Sequence, residues 1–281
     1  MSTVRLSSQP GTGGLLIRAA LGAAVRRRGD VLPDTGLELP DVAVDREHLA
    51  RYSRVCGFGF RDELPSTYPH VLAFGVAMSL LTDRGFPFPM LGLVHIGNAI
   101  TQHRSLRADE PLTLRVRVAD LRPHERGRQF DVIHTVEAGG KPVWRDVSTY
   151  LRREFGPSSR SRPPSHEPPT PSALWRVPAD VGRRYAAVSG DRNPIHLNTF
   201  AARAFGFRRA IAHGMWTKAR CLAALEGRLP DAFTVVVAFK QPVLLPSTVA
   251  FAAEADGSGW RLSAHEARSG RPHLTGTVTV P

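Results

Sequence analysis

A carboxylate and an imidazole stand five residues apart, on either side of a proline, in the second half of this 281-residue chain. They are Asp191 and His196, within the run from Ser189 to His196. Pro194 fixes its own φ and biases the residue before it toward extended geometry, so the two side chains are predicted to flank a bend rather than lie on one helix. Such a pair can activate a water and then return a proton, because each group can act as base or acid.

A glycine at a predicted helix start is a candidate for a third chemical role. His213 and Gly214 open a helix-like run that continues to Leu225. The first backbone N–H groups of a helix have no partner within it and are free to bind an anion. The N–H of Gly214 is therefore a candidate donor to an oxyanion.

Further residues accompany this set in a fixed order between Tyr185 and Met215, namely Ala204, Gly206, Phe207 and Ile211. The ordered set resembles the MaoC-like (R)-specific enoyl-thioester hydratases and 3-hydroxyacyl-thioester dehydratases, which have the hotdog fold. That resemblance implies that Asp191 and His196 form the catalytic pair and that Gly214 is the oxyanion donor. We expect neither a metal nor a cofactor.

Hydration of a trans-2-enoyl thioester needs a water at C3, a proton at C2 and stabilisation of the charge that builds on the thioester oxygen. We expect Asp191 to orient and deprotonate a water that His196 also holds, and the Gly214 N–H to hold the enolate oxygen. Which group protonates C2 stays open. The remaining candidates, for binding substrate or orienting the catalytic pair, are Ser189, Asn193 and His213.

The chain also contains an internal repeat. Residues 51–57 and 184–190 share Arg, Tyr, Val and Gly at the same places, and a proline followed by a strand pattern stands at both 111 and 246. A Gly-Lys-Pro or Gly-Arg-Pro triplet then follows at 140 and 270. Three matches in one order at nearly one spacing predict two copies of a unit of about 130 residues.

The repeat and the resemblance together predict an α+β fold, a double hotdog of two tandem units, each an antiparallel sheet wrapped around a long helix. The long helices are predicted at about 70–82 and about 213–226, each followed by strand patterns with turn residues between them. The predicted divisions are an N-terminal extension with one short helical pattern from 15 to 26 (1–40), a degenerate hotdog (41–153), a Pro/Ser-rich linker (154–173) and a catalytic hotdog (174–281).

The first copy is predicted to be non-catalytic. Where the second copy continues into its Asp/His turn, the first continues Phe58 to Pro65 without that pattern. The segment from Leu64 to Pro69 resembles the first half of the actinobacterial two-hotdog dehydratases. In such proteins a degenerate first half forms a wide acyl tunnel beside the active second half.

The formal net charge of +12 and the pI of about 10.9 favour a polyanionic partner. The basic residues are scattered, without an aromatic-interleaved nucleic-acid motif. We therefore expect coenzyme A or an acyl carrier protein as the carrier of the thioester substrate, and no nucleic acid.

Other patterns bear on the compartment. Cys56 and Cys221 lack metal or redox spacing and are predicted to be buried free thiols. The weakly polar stretch 71–81 is too short to span a bilayer, so no membrane insertion is expected. The arginines at 26–28 follow the apolar residues 15–17, the wrong order for a signal peptide. These patterns indicate a cytoplasmic protein, and a homodimer is possible.

Two other functions stay open. A non-catalytic hotdog that binds acyl thioesters would not need the Asp191/His196 pair. A hotdog thioesterase needs a carboxylate on or beside its long helix, and the run from 213 to 225 contains none before Glu226. Oxidoreductase chemistry is disfavoured because Gly57 and Gly59 are not followed by a third glycine at the dinucleotide spacing, so neither nicotinamide nor flavin is expected.

Overall fold

The computed structural model describes residues 2–15, 29–90, 92–154 and 168–281. In the described part of the first half, eight elements have both ends defined: two strands, then two helices, then four strands. They are β1 (Ser2–Arg5), β2 (Thr35–Val42), α1 (Arg46–Cys56), α2 (Tyr68–Leu81), β3 (Leu93–Gln102), β4 (Leu112–His124), β5 (Gly127–Ala138) and β6 (Lys141–Arg153).

The second half contains one strand, four helices and four strands. They are β7 (Ala173–Val177), α3 (Val181–Ser189), α4 (Pro194–Leu197), α5 (Thr199–Ala204), α6 (Gly214–Ala223), β8 (Phe233–Phe239), β9 (Ser247–Asp256), β10 (Gly259–Glu266) and β11 (Pro272–Thr279).

The eleven described strands form one continuous sheet. Outward from its centre the order is β3-β6-β5-β4-β2-β1 on one side and β8-β11-β10-β9-β7 on the other. Corresponding strands of the two copies therefore occupy corresponding places, and β1 is an addition that pairs parallel with β2. The predicted α+β double hotdog is confirmed.

The two copies meet at an antiparallel ladder between β3 and β8. Pairing runs from Gly97 opposite Ala238 to Gln102 opposite Phe233. Within it the hydroxyls of Thr101 and Thr234, 133 residues apart in the chain, are hydrogen-bonded at 3.0 Å. The junction between the halves is thus made by main-chain hydrogen bonds as well as by side chains.

The long helix of each copy lies buried against the sheet. α2 is apolar over nearly its whole length and packs on β2, β4 and β5. α6 is largely buried as well, but it ends at Ala223 rather than near the predicted residue 226. The reason is a tighter turn, in which the Leu225 N–H donates to the Leu222 carbonyl at 2.9 Å. Burial of these apolar faces supplies the main driving force for folding.

A glycine that the two copies share ends the helix before the predicted catalytic turn. Gly57 follows α1 with φ +84°, and Gly190 follows α3 with φ +75°. Both are left-handed helix caps, a conformation that glycine adopts without the steric penalty of a Cβ. The sequence repeat thus has a structural reason, because both copies must turn sharply at this point.

Gly182 in α3 lies directly against the main chain of His196. A Cβ at this position would lie 2.1 Å from the His196 carbonyl oxygen. We expect Gly182→Ala to lower the free energy of unfolding by about 1–3 kcal/mol, because the backbone of α4 must move. Urea unfolding measures the change, with Gly13→Ala as the control because its Cβ would meet no atom within 4 Å. Equal stability of the two variants would contradict the contact.

Part of the N-terminal extension is joined to the first copy. Besides the β1 pairing, the Gln9 side chain donates to the Leu72 carbonyl at 2.8 Å. The predicted division at 40/41 falls inside β2, and the predicted linker 154–173 ends inside β7. Nearly all of the helical pattern predicted at 15–26 and most of that linker lie outside the described residues.

Cys56 and Cys221 are both buried and free, as predicted. Burial raises the pKa of each thiol to about 12, which leaves both protonated and unreactive at neutral pH. Among the described helices, none combines the length and the apolar character needed to cross a lipid bilayer.

Candidate active site

The fold brings the predicted catalytic residues to one place. Asp191 lies in the loop between α3 and α4, His196 lies in α4, and His213 and Gly214 stand at the start of α6. The rings of His196 and His213 are stacked with centroids 3.6 Å apart. The Asp191 carboxylate lies 3.7 Å from His213 Nε2 and remains about one third exposed, so a small molecule can reach it.

The turn that carries Asp191 is held by side chains that each accept a hydrogen bond from the N–H two residues ahead. Ser189 Oγ accepts from Asp191, and Asp191 Oδ1 accepts from Asn193, both at 3.2 Å. Asn193 caps α4 by accepting from the Ile195 N–H at 3.4 Å. Pro194 stands at the first position of that helix, where its missing N–H is not needed. Ser189 and Asn193 therefore fix the backbone that presents the pair.

The tautomer of the neutral His196 ring follows from its hydrogen bond. Its Nδ1 lies 2.8 Å from the carbonyl oxygen of Ile211, which can only accept. Nδ1 therefore donates, and in the neutral ring Nε2 keeps its lone pair. A buried imidazole is thus oriented with a basic nitrogen free for a reacting molecule.

The side chain of His213 contacts the turn that carries Asp191. Its Nε2 donates to the Asp191 carbonyl oxygen at 2.9 Å, so the ring holds the backbone of that turn in place. The other nitrogen, Nδ1, is buried without a hydrogen-bond partner. His213 therefore orients Asp191 and supports the His196 ring.

Burial and mutual proximity set the charges of the three groups. Burial, reinforced by the neighbouring His196, lowers the pKa of His213 to about 3. Burial also lowers the pKa of His196, although Asp191 opposes the shift. For Asp191, burial alone would raise the pKa, but the two imidazoles and the Asn193 N–H outweigh it and the pKa lies below its usual value. At neutral pH the cluster is one carboxylate beside two neutral imidazoles.

Gly214 is the first residue of α6, and its N–H belongs to the helix end that has no partner within the helix. The Phe239 ring packs against it. A Cβ at position 214 would lie 3.1 Å from that ring, which is tighter than most real contacts. Glycine thus leaves the helix end and the aromatic ring in contact.

Comparison with known proteins identifies the family. Residues 158–271 match the MaoC like domain. Over 269 residues the chain is 42% identical to 3-hydroxyacyl-thioester dehydratase X of Mycobacterium tuberculosis, an alignment that covers 94% of this chain and 96% of that relative. The chain belongs to the MaoC-like dehydratase family.

Solved structures of family members show the same architecture. The crystal structure of HtdX of Mycobacterium tuberculosis matches with a TM-score of 0.79 at 39% identity, over 86% of this chain and 98% of that one. A MaoC-like dehydratase from Phytophthora capsici matches with a TM-score of 0.72 at 18% identity, over 90% of this chain and 97% of that one, and shows the fold alone.

In this MaoC-like protein the first copy has different chemistry at the place that corresponds to the Asp/His site. Thr67 caps α2 as His213 caps α6. The Tyr52 hydroxyl donates to Thr67 Oγ1 at 2.8 Å, and the Tyr68 hydroxyl lies 2.8 Å from His48 Nδ1. These bonds join neutral groups, and neither involves a carboxylate.

The first copy nevertheless contributes walls to the site in the second. Tyr150 of β6 stacks on His95 with centroids 4.6 Å apart, and His95 meets the edge of Phe239, the ring that covers Gly214. Burial raises the pKa of Tyr150, and the nearby Asp191 carboxylate raises it further. Tyr185 of α3 also contacts the site, with its ring centroid 4.9 Å from that of His213. Tyr150 could not be predicted as a site residue from the sequence, because it lies on a distant strand of the other copy.

A second buried polar cluster, the Asp146 network, lies beneath these walls. Asp146 is fully buried, and each of its carboxylate oxygens accepts two hydrogen bonds. Its four donors are His70 Nδ1 at 3.1 Å, Asn98 Nδ2 at 2.7 Å, His134 Nδ1 at 3.0 Å and Ser148 Oγ at 2.8 Å. Burial alone would raise the pKa of Asp146, but the histidines hold it well below its usual range.

The Asp146 network reaches α6 through Lys218, which completes it. Lys218 Nζ is fully buried and donates to the side-chain oxygen of Asn98, to the Asn98 carbonyl at 3.3 Å and to the Val235 carbonyl at 3.2 Å. Burial lowers the pKa of Lys218 to about 7, although the nearby Asp146 carboxylate favours its charged form. Asn98 thus joins an amine on the long helix of the second copy to a carboxylate in the first.

Two groups of described residues bring potential metal ligands within 4.8 Å of one another: the set of Asp146, His70 and His134, and the set of Asp191, His196 and His213. In the first set both imidazoles donate to the carboxylate. In the second, each imidazole uses one nitrogen to donate to a backbone carbonyl. In both sets these hydrogen bonds fix the orientation of the imidazole rings.

A cavity of about 640 Å³ adjoins the catalytic turn. Its walls include residues 7–12 of the N-terminal extension, the start of α2 around Tyr68 and Val71, and residues 187–190 at the end of α3. Its lining is mixed polar and apolar; it includes Ser189 and Gly190, directly before Asp191, but not Asp191 or His196 themselves.

Proposed function

We propose that this protein catalyses the reversible addition of water to trans-2-enoyl thioesters to give (R)-3-hydroxyacyl thioesters. The observation that carries the proposal is the ionised Asp191 carboxylate beside a neutral His196 whose Nε2 lone pair is free, next to the unpaired end of α6. The relationship to a protein named 3-hydroxyacyl-thioester dehydratase X supports the same reaction class.

The proposed mechanism uses one water held between Asp191 and His196 Nε2. The Asp191 carboxylate removes a proton as the water oxygen bonds to C3, and the C2–C3 π electrons move toward the thioester carbonyl. The negative charge on that oxygen is held by the Gly214 N–H, a contribution of about 3 kcal/mol in comparable sites. The proton taken from water returns to C2, which restores the carbonyl and both catalytic groups. Dehydration follows the same steps in reverse.

We propose that the acyl chain occupies the cavity beside α2. A cavity of about 640 Å³ falls within the usual range for small-molecule sites and borders the residues directly before Asp191. The first copy would then have exchanged its own chemistry for space. The carrier of the thioester is coenzyme A or an acyl carrier protein. Both carriers suit a cytoplasmic protein, which remains our prediction. A homodimer also stays a prediction.

The experiment that tests this function follows the loss of enoyl-thioester absorbance with short, medium and long trans-2-enoyl-CoA substrates. We expect hydration with formation of the (R)-alcohol, and a chain-length profile that reports the size of the cavity. Binding of these thioesters without turnover, on either carrier, would instead favour the non-catalytic binding protein. Release of free thiol would favour a thioesterase, although α6 carries no carboxylate between Gly214 and Ala223 to support one.

The pH dependence of the reaction follows from the two lowered pKa values. Burial places the pKa of His196 below the ordinary 6.5, and the pKa of Asp191 lies below 3.8. The competent form, a carboxylate beside a neutral imidazole, therefore persists below pH 6.5 and is lost by protonation. We expect kcat/KM to stay level from about pH 8 to pH 6.5 and to fall only in more acidic solution. An acid limb with its midpoint above pH 6.5 would contradict this reasoning.

A further inference from the structure

One stretch of the chain carries no negative charge. Residues 192–225 contain six basic residues and neither Asp nor Glu. The four arginines nearest its start, Arg192, Arg203, Arg208 and Arg209, are exposed. Within the described parts of the chain none of the four forms an ion pair with a carboxylate, whereas Arg104, Arg107, Arg115 and Arg128 of the first copy all do. A concentrated charge thus stays unneutralised on one part of the surface.

Two phenylalanines are exposed on the same part of the surface. Phe200 in α5 is 78% exposed, and Phe205 just after that helix is 46% exposed. Phe200 and Arg203 are three residues apart on α5, so they share its outer face, while Ala202 is fully buried. We name Arg192, Phe200, Arg203, Phe205, Arg208 and Arg209 the α5 surface. Arginines with exposed aromatic rings are the composition typical of protein interfaces.

The loop that follows α5 joins the α5 surface to the catalytic residues through main-chain atoms. The Arg203 side chain makes only a long, exposed contact within the surface, donating to the Arg208 carbonyl at 3.4 Å. That loop continues to Ile211, whose N–H donates to the Ile195 carbonyl at 3.1 Å and whose carbonyl orients His196. At its other end the surface begins at Arg192, next to Asp191. A partner bound here would lie at the rim of the catalytic site.

We propose that the α5 surface docks an acidic carrier protein, which presents the acyl thioester to Asp191 and His196 on a flexible pantetheine arm. The inference rests on the proposed function and names the partner of that same site. Charge complementarity supports a protein with an acidic surface, since the net charge of +12 would also speed its approach. The exposed phenyl rings would be covered on docking, which gives a reason for their exposure in the unbound protein.

The shape of the surface favours a protein over the nucleotide part of coenzyme A. Small ligands bind in concave sites that bury most of their area. The cavity of about 640 Å³ is lined by the N-terminal segment, α2 and the end of α3, and no residue of the α5 surface lines it. Exposed arginines with exposed aromatic side chains between them suit a broad contact with another protein.

The test compares one acyl chain on two carriers. Initial rates of hydration are measured with trans-2-octenoyl on a bacterial acyl carrier protein and on coenzyme A, for the wild type, Arg203→Glu/Arg208→Glu and Phe200→Ala. The control is Lys141→Glu/Arg145→Glu, which makes the same charge change at exposed residues of β6 that are outside every described ion pair. Thermal unfolding confirms that each variant is folded.

We expect the α5 charge reversal to lower kcat/KM for the carrier-protein substrate at least about tenfold, through KM, and to leave the coenzyme A rate within about twofold. The defect should shrink at high salt, because exposed charges are screened. Phe200→Ala should act in the same direction on the carrier-protein substrate alone, and the control should match the wild type. An equal loss on both carriers would overturn the proposal in favour of nucleotide binding or a structural role, and no loss on either would overturn it outright. A wild type that hydrates neither substrate would refute the proposed function itself.

Discussion

Asp191→Asn is expected to lower kcat for enoyl-thioester hydration by a factor of about 10²–10⁴, the range that a general base contributes. Asparagine has nearly the same shape, and its side-chain oxygen can still accept from the Asn193 N–H, as Asp191 Oδ1 does at 3.2 Å. It cannot take a proton from water. The loss should therefore appear in kcat, with a smaller effect on substrate binding. Steady-state rates and the binding constant of a saturated thioester measure the two quantities separately.

A matched control is available at the other end of α3. Asp180 stands at the start of that helix and makes no side-chain capping bond, so Asp180→Asn removes the same charge without disturbing the turn. We expect it to keep nearly all the activity. If Asp191→Asn were also to keep activity within a few-fold of wild type, Asp191 would not be the base, and His196 would have to act alone.

Lys218→Met is expected to destabilise the protein by about 1–3 kcal/mol, the cost of leaving buried polar groups without their hydrogen-bond partner. The methionine fills a similar volume, but it leaves the Asn98 side-chain oxygen and the Val235 carbonyl without their donor. It also removes the amine whose charged form interacts with the Asp146 carboxylate. Urea unfolding measures the loss, and Lys240→Met on the exposed surface should change stability by less than about 0.5 kcal/mol.

A double-mutant cycle separates the network from simple loss of packing. Asp146→Asn removes the anion, and its combination with Lys218→Met removes both charges. Because the two groups act through Asn98, the double variant should be more stable than the sum of the single losses predicts, by about 0.5–3 kcal/mol. Additive losses would mean that Lys218 and Asp146 are independent, and that α6 is not stabilised through the first copy.

The parts of the site that are local in sequence could be predicted from it. The bend between Asp191 and His196 follows from Pro194, and the cap of α4 follows from Asn193. The repeat could be found because both copies need a left-handed glycine after the same helix. Local chemistry of this kind leaves a pattern in neighbouring letters, and most of the strands were predictable for the same reason.

The Asp146 network left a weaker signal. Every second residue of β6 from 144 to 150 points to one face of the sheet; these residues are Trp144, Asp146, Ser148 and Tyr150. The buried Trp144 marks that face as the inner one. The alternation could have predicted a buried polar row. Its partners could not be predicted, because Lys218 lies on a helix far along the chain, and nothing in the local sequence shows which groups its amine contacts.

The ladder between β3 and β8 has a consequence for how such a protein evolves. In an assembly of two identical chains every mutation appears twice, and each must suit both sides of a self-pairing interface. Here both sides belong to one polypeptide, so each half always pairs with the other half, which has a different sequence. A substitution that enlarges one half is therefore never copied into the other. Duplication followed by fusion leaves selection free to keep the acid and base in one half and to place different residues in the other, such as Thr67 at the position of His213.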